Sequence, residues 1–272
     1  MATITIKPTD NWQQILQEHD GVGVVYVDPG YYKTTKDIIF KAPRIDIRCN
    51  VLGSATFEAR WAPVNTITKI SGVDLLPDGS RGLFAVTGGG FSLTDCQCFL
   101  PAGWPEMDGL GYFSGSWIHF SARQRDVIFS VKDRVKAQVF DIDCSTYKWL
   151  GNTATARVKI EFTNKIAGII LDASRGLFAG TQVRGGGSTI GGGIIFRRLS
   201  TGILANDLQV HDLRHAIRAM QGSRIFVYDG LIRNCMYGLS NEDGQIKYDA
   251  AKVIFDQVAN KTVKPASNIT EV

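Results

Sequence analysis

Residues 208–217 read LQVHDLRHAI, residues 230–239 read GLIRNCMYGL and residues 253–256 read VIFD. In each segment apolar and polar residues alternate up to an Asp or Asn, and these three residues are spaced by 22 positions: Asp212, Asn234 and Asp256. Alternation with a period of two is typical of a β-strand. Short strands repeated about every 22 residues predict a solenoid of β-coils, in which each coil pairs with its neighbours about 4.8 Å away.

The Asp and Asn residues suit the corners between the strands of a coil. Their side chains bond to nearby backbone amides and tolerate the left-handed conformation, so we expect them to stack as a ladder along one edge. Asp95 and Asn164 fit the same pattern. A cysteine follows an Asx residue at Cys96, Cys144 and Cys235, which suggests a small side chain that points inward.

Two repeated sequence segments at longer spacing suggest that the halves of the chain are stacked copies. Residues 80–87 recur at 174–181, a shift of 94, and residues 46–49 recur in part at 141–144, a shift of 95. A repeat at fixed spacing is the signature of a solenoid.

One spacing conflicts with this register. The segment GILA at 202–205 precedes the related segment AIRA at 216–219 by only 14 residues, which are too few for a full coil. We therefore expect one of these two segments to be out of register with the coils. The glycine-rich segment 185–193 would then be a bulged turn that absorbs the shift in register.

The N-terminus predicts a helical cap. Asp10 and Gln13 resemble a capping box, and one face of a helix over 11–19 would carry Trp12, Ile15, Leu16 and His19. A solenoid needs its open ends covered to prevent edge-to-edge pairing. The sequence thus predicts a cap over 1–22, followed by one solenoid domain over 23–272.

Composition excludes several classes of protein. The 272 residues are 44% hydrophobic and 21% charged, with a net charge of +4, too small by itself to indicate a nucleic-acid partner. No apolar stretch approaches the roughly 20 residues of a membrane span, and we expect no membrane insertion. The N-terminus does not resemble a secretion signal. The five cysteines have no metal-ligand spacing, so we expect reduced, buried thiols, no metal and no cofactor.

The segment GVVYVDPGYY at 23–32, with IIF at 38–40 and IDI at 45–47, resembles the opening of pectate-lyase-like proteins. The resemblance implies an all-β fold, a single-stranded right-handed parallel β-helix with a short N-terminal capping helix. This superfamily includes polysaccharide lyases, glycoside hydrolases and bacteriophage tailspikes. Without a secretion signal, the resemblance favours the tailspike-like branch. It implies a homotrimer in the virion, made in the host cytoplasm, that contacts other virion proteins and host polysaccharide.

Aromatic and acidic residues are concentrated at 101–120, where prolines and glycines predict a loop. Flat rings beside carboxylates suit sugars, so we expect carbohydrate or partner binding by Trp104, Glu106, Asp108, Tyr112, Trp117, Tyr147 and Trp149. The same rings could instead pack the loop onto the solenoid or bury a subunit contact. This stretch contains no Lys or Arg, which argues against nucleic-acid binding.

The densest polar cluster contains His211 and four candidates for catalysis, Asp212, Arg214, His215 and Arg218. A lyase needs a base beside a uronate and a cation that stabilises the resulting charge. The alternative is a solvated or inter-subunit corner. A short distance between two carboxylates is weak evidence for catalysis in this fold. The spacing of the coils brings corner residues to catalytic distances even where they have no catalytic role.

These observations leave three hypotheses for function. The first is a phage virion protein, tailspike-like or a surface decoration, that contacts host polysaccharide. The second is a polysaccharide depolymerase, either a lyase or a glycoside hydrolase. The third is a non-catalytic structural adaptor in a particle, which would attach to another protein through the rings between Trp104 and Trp117.

Overall fold

The computed structural model describes residues 3–152, 154–163, 166–263 and 268–272. Over these residues the chain is a parallel β-solenoid of about 11 turns, with one short helix, α1 (Trp12–Glu18), and strands numbered β1 to β26 along the chain. The all-β parallel solenoid predicted from the repeats is confirmed. Each turn passes over three faces in a constant order, which we name face A, face B and face C.

Face A contains the strand that begins most turns, paired in parallel with the strands of neighbouring turns. Its strands are β1 (Ile4–Ile6), β2 (Val25–Val27), β4 (Arg44–Cys49), β6 (Ile67–Ser71), β9 (Gly90–Thr94), the second halves of β11 (Gly111–Ala122) and β13 (Gln138–Gly151), β16 (Arg175–Ala179), β19 (Thr201–Ala205), β21 (Arg224–Val227), β23 (Gln245–Tyr248) and β26 (Ile269–Glu271).

Face B follows face A along the chain and is also parallel. Its strands are β3 (Gly30–Lys33), β5 (Ala55–Glu58), β7 (Asp74–Leu76), β10 (Gln97–Phe99), β12 (Val127–Lys132), β14 (Val158–Phe162), β17 (Thr181–Arg184), the first halves of β20 (Leu208–Ala219) and β22 (Gly230–Asn241), and β24 (Val253–Asp256).

Face C completes each turn. Its strands are β8 (Phe84–Thr87), the first halves of β11 and β13, β15 (Ala167–Asp172), β18 (Gly192–Arg197), the second halves of β20 and β22, and β25 (Asn260–Val263). In the first turns this face is made by isolated bridges that join Ile38 to Trp61 and Trp61 to Phe84.

The interior is a continuous column of inward side chains. In the middle turns the column is aromatic, and ring centroids lie 4.8–6.5 Å apart among Phe84, Phe91, Phe113, Phe120, Phe129, Phe140 and Trp149. All of these rings are buried. Burying one large apolar side chain contributes about 1.5–3 kcal/mol, so the stack is a main source of stability.

The predicted corner ladder is correct for two of its three members. Asp212 and Asn234 both have positive φ at the corner between faces B and C, and the Asn234 amide donates to the Asp212 carboxylate over 2.7 Å. In the next turn the left-handed residue is Gln257, while Asp256 lies one position earlier and aligns with Arg233. The prediction for Asp256 is therefore wrong, because this turn is one residue longer.

Asp95 also adopts the left-handed conformation, but it lies at the corner between faces A and B. It belongs to a different edge from Asp212, so the predicted common ladder is wrong for Asp95. Asn164 lies outside the described residues. The cysteines after Asp95 and Asn234 are buried, as is Cys144, and all five cysteines are free thiols, as predicted.

The repeated sequence segments are not structural repeats. Residues 84–87 lie on face C, whereas 175–179 of the matching segment lie on face A. Residues 46–49 lie on face A, whereas Asp141 lies on face C. The predicted stacking of two equivalent halves is wrong, because the same short sequence occupies different faces.

The expected slip between 202–205 and 216–219 does not occur. Residues 202–205 lie on face A and residues 216–219 on face C, so their close spacing reflects two faces of the same turn and not two successive coils. The glycine-rich segment connects β17 to β18 at the corner between faces B and C. Registers on both sides of it continue, with Arg184 paired to His211 and Gly192 to His215.

The N-terminal helix covers the first turns, as predicted. Trp12 is 5% exposed and packs edge-on against Tyr32 and Phe57 at 5.7 and 5.5 Å. The capping box is not formed: the N-cap is Asn11, whose side chain makes no capping hydrogen bond, and Asp10 accepts the Lys7 backbone N–H at 2.8 Å. Strand β1 lies inside the segment predicted as the cap and pairs with β2.

The segment 101–120 is a loop only in its first half. Strand β11 begins at Gly111 and bends from face C to face A, and its inward residues Phe113, Ile118 and Phe120 alternate with outward ones. The prediction of a loop to residue 120 is wrong, because this alternation buries enough apolar surface to outweigh the glycines.

Candidate functional site

The structure disperses the predicted aromatic platform. Tyr147 and Trp149 are both 0% exposed in the core, so neither can contact a ligand, and their prediction as surface binding residues is wrong. They point inward because β13 alternates, and their positions align with Ile118 and Phe120 of the preceding turn.

The other predicted residues lie on three different parts of the surface. Trp104 is partly buried on the connection between β10 and β11, where Glu106 and Asp108 are exposed. Tyr112 is exposed on face C and Trp117 lies on face A. A single platform formed by all of these residues is therefore wrong.

The predicted catalytic cluster is also divided. Asp212 lies at the corner between faces B and C, bonded to Asn234, 3.1 Å from His211 and 3.2 Å from Arg184. Burial opposes its ionisation, but the hydrogen bonds from Asn234 and His211 outweigh burial and lower the pKa of Asp212. An ionised carboxylate held in this way is a structural member of the corner.

His215 lies on face C, in a depression separate from the one that Asp212 lines. Its ring contacts the Tyr237 ring at a tilt of 32°, with the centroids 4.7 Å apart, and its Nδ1 is 2.9 Å from the Ser240 hydroxyl. Burial, followed by the charges of Arg218 and Arg214, lowers the pKa of His215 to about 4. Arg218 pairs with Glu242. The structure therefore does not bring Asp212 and His215 together as an acid–base pair.

A polar depression of about 510 Å³ lies on face A of the N-terminal half. Its floor follows a row of outward residues in register across successive turns, Asp46, Lys69, Ser92 and His119. Trp117 lies beside His119, and its indole occupies the space over Gly90, where any Cβ would collide with it. The wall at the corner between faces A and B includes Leu52, Arg123 and Gln124.

Three cations, Arg48, Lys69 and Arg123, line this depression together with two carboxylates, Asp46 and Asp95. Burial lowers the pKa of His119, and the charges of Lys148, Arg123 and Lys69 lower it further. The His119 Nε2 is buried and has no hydrogen-bond partner among the described residues. A neutral imidazole, a hydroxyl and an indole surrounded by cations suit a polar ligand with acidic groups.

A cluster of carboxylates lies on face C. Asp141 aligns with the exposed Tyr112 of the preceding turn, and Asp172 follows on the next strand. Asp172 accepts two hydrogen bonds from Arg197, one from Nε to Oδ1 and one from Nη2 to Oδ2, the second over 2.7 Å. Burial raises the pKa of Asp141, and the charge of Asp172 raises it further.

Sequence reasoning missed this cluster. In the sequence, Asp141 was noted only as the first residue of the segment 141–144 that partly repeats 46–49. No neighbouring residue indicated that Asp172 lies close to it. The only available signal was the spacing of Asp141, Asp143 and Asp172, which becomes informative once the register of β13 against β15 is known.

Comparisons of the chain with protein-family models, with curated proteins and with solved structures gave no significant match. Within the described ranges, the chain has no helix long and apolar enough to cross a membrane. In the same part of the chain, no three or more His, Cys, Asp or Glu side chains are grouped so that they could hold a metal ion.

Proposed function

We propose that the protein is a structural component of a bacteriophage particle, tailspike-like or a surface decoration, that contacts host-surface polysaccharide through the depression on face A. The observation that carries this proposal is the row of Asp46, Lys69, Ser92 and His119 in register across successive turns, with the Trp117 ring beside it over Gly90. A stacked row repeats about every 4.8 Å, which is close to the length of one sugar along a polysaccharide. Successive turns can therefore contact successive sugars of an extended chain.

The proposal includes a homotrimer in the virion, in contact with other virion proteins after synthesis in the host cytoplasm. The five buried free cysteines suit a protein made in a reducing compartment. Light scattering of the purified protein should give the mass of three chains. A monomer at micromolar concentration would contradict this part of the proposal.

Binding to host-surface polysaccharide tests the proposed site. Trp117→Ala removes the ring beside His119 and should weaken binding at least tenfold, because an aromatic ring at the centre of an interface carries much of its affinity. Trp104→Ala, which alters the connection between β10 and β11, is the control and should change binding less than twofold. Equal effects of the two variants would rule out face A as the binding surface.

A polysaccharide depolymerase is the second candidate, favoured by the cluster on face C. Asp141 has a raised pKa and lies near Asp172, a carboxylate paired with an arginine. A carboxyl with a raised pKa beside a second carboxyl can supply the acid and the base of glycoside cleavage. Here Asp141 would protonate the leaving oxygen, with the exposed ring of Tyr112 beside the sugar.

Release of reducing ends or unsaturated products from capsular polymers would support this candidate. Asp141→Asn should then lower the rate by about 10²–10⁴-fold, while Asp108→Asn, an exposed carboxylate on a connection, should leave it unchanged. If the unmodified protein releases neither product, the enzymatic candidate is rejected.

A further inference from the structure

Face A carries a set of cations without ion-pair partners. Two outward rows run along it in register, and six of their residues form no ion pair with any described carboxylate: Arg44, Lys69, Lys148, Arg175, Arg224 and Lys247. Five of these six are exposed and Lys69 is half-buried. The acidic residue in these rows is Asp46, and Arg48 holds it through two bonds of 2.9 and 2.7 Å.

The other two faces arrange their charges differently. On face B, Lys33 pairs with Glu58 at 2.8 Å and Arg233 with Asp256 at 2.7 Å. On face C, Arg197 pairs with Asp172. The net charge of the whole chain is only +4, so the unpaired charge on face A reflects placement rather than a generally basic protein.

Apolar side chains lie between these cations. The row that contains Lys148 continues through Leu177, Ile203 and Phe226 before it reaches Lys247. Ile203 is 51% exposed, and the same part of face A forms a shallow apolar depression bordered by Arg175, Arg224 and Lys247. Such a surface can pack against the apolar side of a sugar ring while the flanking cations contact its acidic groups.

We propose that the ligand of face A is an acidic linear polysaccharide, which lies along the solenoid axis with its carboxylate or sulfate groups against these cations. This inference rests on the proposed function, which assigns face A to polysaccharide, and adds the chemical class. It also extends the binding surface from the depression near His119 to Lys247.

The spacing of the cations favours a sparsely charged polymer. From β4 to β23 face A has eight strand spacings of about 4.8 Å, so the six cations, which define five intervals, lie about 8 Å apart along the axis on average. Duplex DNA carries one charge per about 1.7 Å and a single strand one per about 3.4 Å. A polysaccharide with one acidic group on every sugar, or on every second sugar, matches the face more closely than a nucleic acid does.

The test measures binding of the full chain to hyaluronate and polygalacturonate, to carboxyl-reduced forms of both, and to duplex DNA. The triple variant Lys148→Gln, Arg175→Gln, Arg224→Gln should bind the acidic polymers at least tenfold more weakly and show a smaller salt dependence. The control Lys7→Gln, Lys36→Gln, Lys261→Gln removes the same charge from exposed positions outside the two rows and should stay within twofold.

Each other outcome overturns the inference in a recognisable way. If the carboxyl-reduced polymers bind as tightly as the acidic ones and binding still depends on Trp117, polysaccharide binding stands and the acidic class is wrong. If none of the polysaccharides binds, both proposals fail. If duplex DNA binds more tightly than either acidic polymer, or if both triple variants have equal effects, the cations of face A do not select an acidic polysaccharide.

Discussion

Tyr147 shows how a single residue sets the composition of the turns after it. Its ring points inward and is fully buried, and the residues aligned with it in the next two turns are Gly176 and Gly202. Its hydroxyl donates to the Thr201 carbonyl at 3.3 Å, two turns away. A Cβ at Gly176 would collide with the Tyr147 backbone and ring, so these glycines are required by the volume of the ring.

Gly176→Ala should therefore lower the free energy of unfolding by about 1–3 kcal/mol, because overpacking forces the ring or the backbone to move. Thr146→Ala, at an exposed position on the neighbouring strand, should change it by less than about 0.5 kcal/mol. Chemical denaturation of both variants measures the difference. An unchanged midpoint for Gly176→Ala would show that the interior can accommodate the methyl group.

The low pKa of His215 makes stability depend on pH. Burial and the charges of Arg218 and Arg214 lower its pKa from 6.5 to about 4 in the folded chain. Between pH 6.5 and 4 the unfolded chain therefore binds a proton that the folded chain does not, and the free energy of unfolding falls as the pH falls. His215→Gln should flatten this dependence. Equal pH profiles for the two proteins would contradict the assignment.

At the scale of the element, the corners hold the coils in position. The Asp95 Oδ1 accepts the backbone N–H groups of Arg123, Gln124 and Arg125 at 2.7, 3.0 and 3.2 Å. These three amides belong to the corresponding corner of the next turn, so one carboxylate closes a bend and joins two turns. Asp95 itself has a φ of 55°, which Asp and Asn tolerate better than most residues.

Asp95→Ala should lower the free energy of unfolding by about 2–4 kcal/mol, because it leaves three amides unpaired and places a less tolerant residue in the left-handed region. Asp95→Asn keeps an acceptor and the backbone preference, so its loss should be smaller, about 1 kcal/mol. Thermal and chemical denaturation give the order. Equal losses for the two variants would show that the carboxylate oxygen does not support the neighbouring corner.

At the scale of the whole molecule, each turn contacts mainly its neighbours, so stability is distributed along the axis. The helix α1 is placed where the solenoid would otherwise expose its interior, and Trp12 covers Tyr32 and Phe57 of the first turns. Trp61 packs against Phe57 at 5.4 Å, and a backbone bridge joins Trp61 to Phe84, where the aromatic column of the middle turns begins.

Trp12→Ala should cost about 3–5 kcal/mol locally, with faster hydrogen exchange in β2 to β5 and unchanged exchange in β20 to β24. The exposed end should also promote self-association, because uncovered strands and interior pair with other chains. Hydrogen exchange measured by mass spectrometry resolves the two regions. A uniform increase along the chain would show that the turns unfold as a single unit.

The sequence by itself determined the features that depend on neighbouring residues. Alternation with a period of two revealed strands, Asp212 and Asn234 marked a corner, and Trp12 and Leu16 predicted the buried side of a cap. These signals are local, because side-chain direction along a strand and tolerance of the left-handed conformation are properties of a few residues.

Only the tertiary structure decided which residues share a face. Residues aligned on face A are separated by 27 positions from Ser92 to His119, 29 from His119 to Lys148, and 23 from Ile203 to Phe226. Connections of different length are absorbed at the corners, so the sequence spacing between aligned residues varies from turn to turn and cannot be read from any short segment. For that reason Trp149 was predicted at the surface and lies in the core, and the cations of face A became a set only once the turns were stacked.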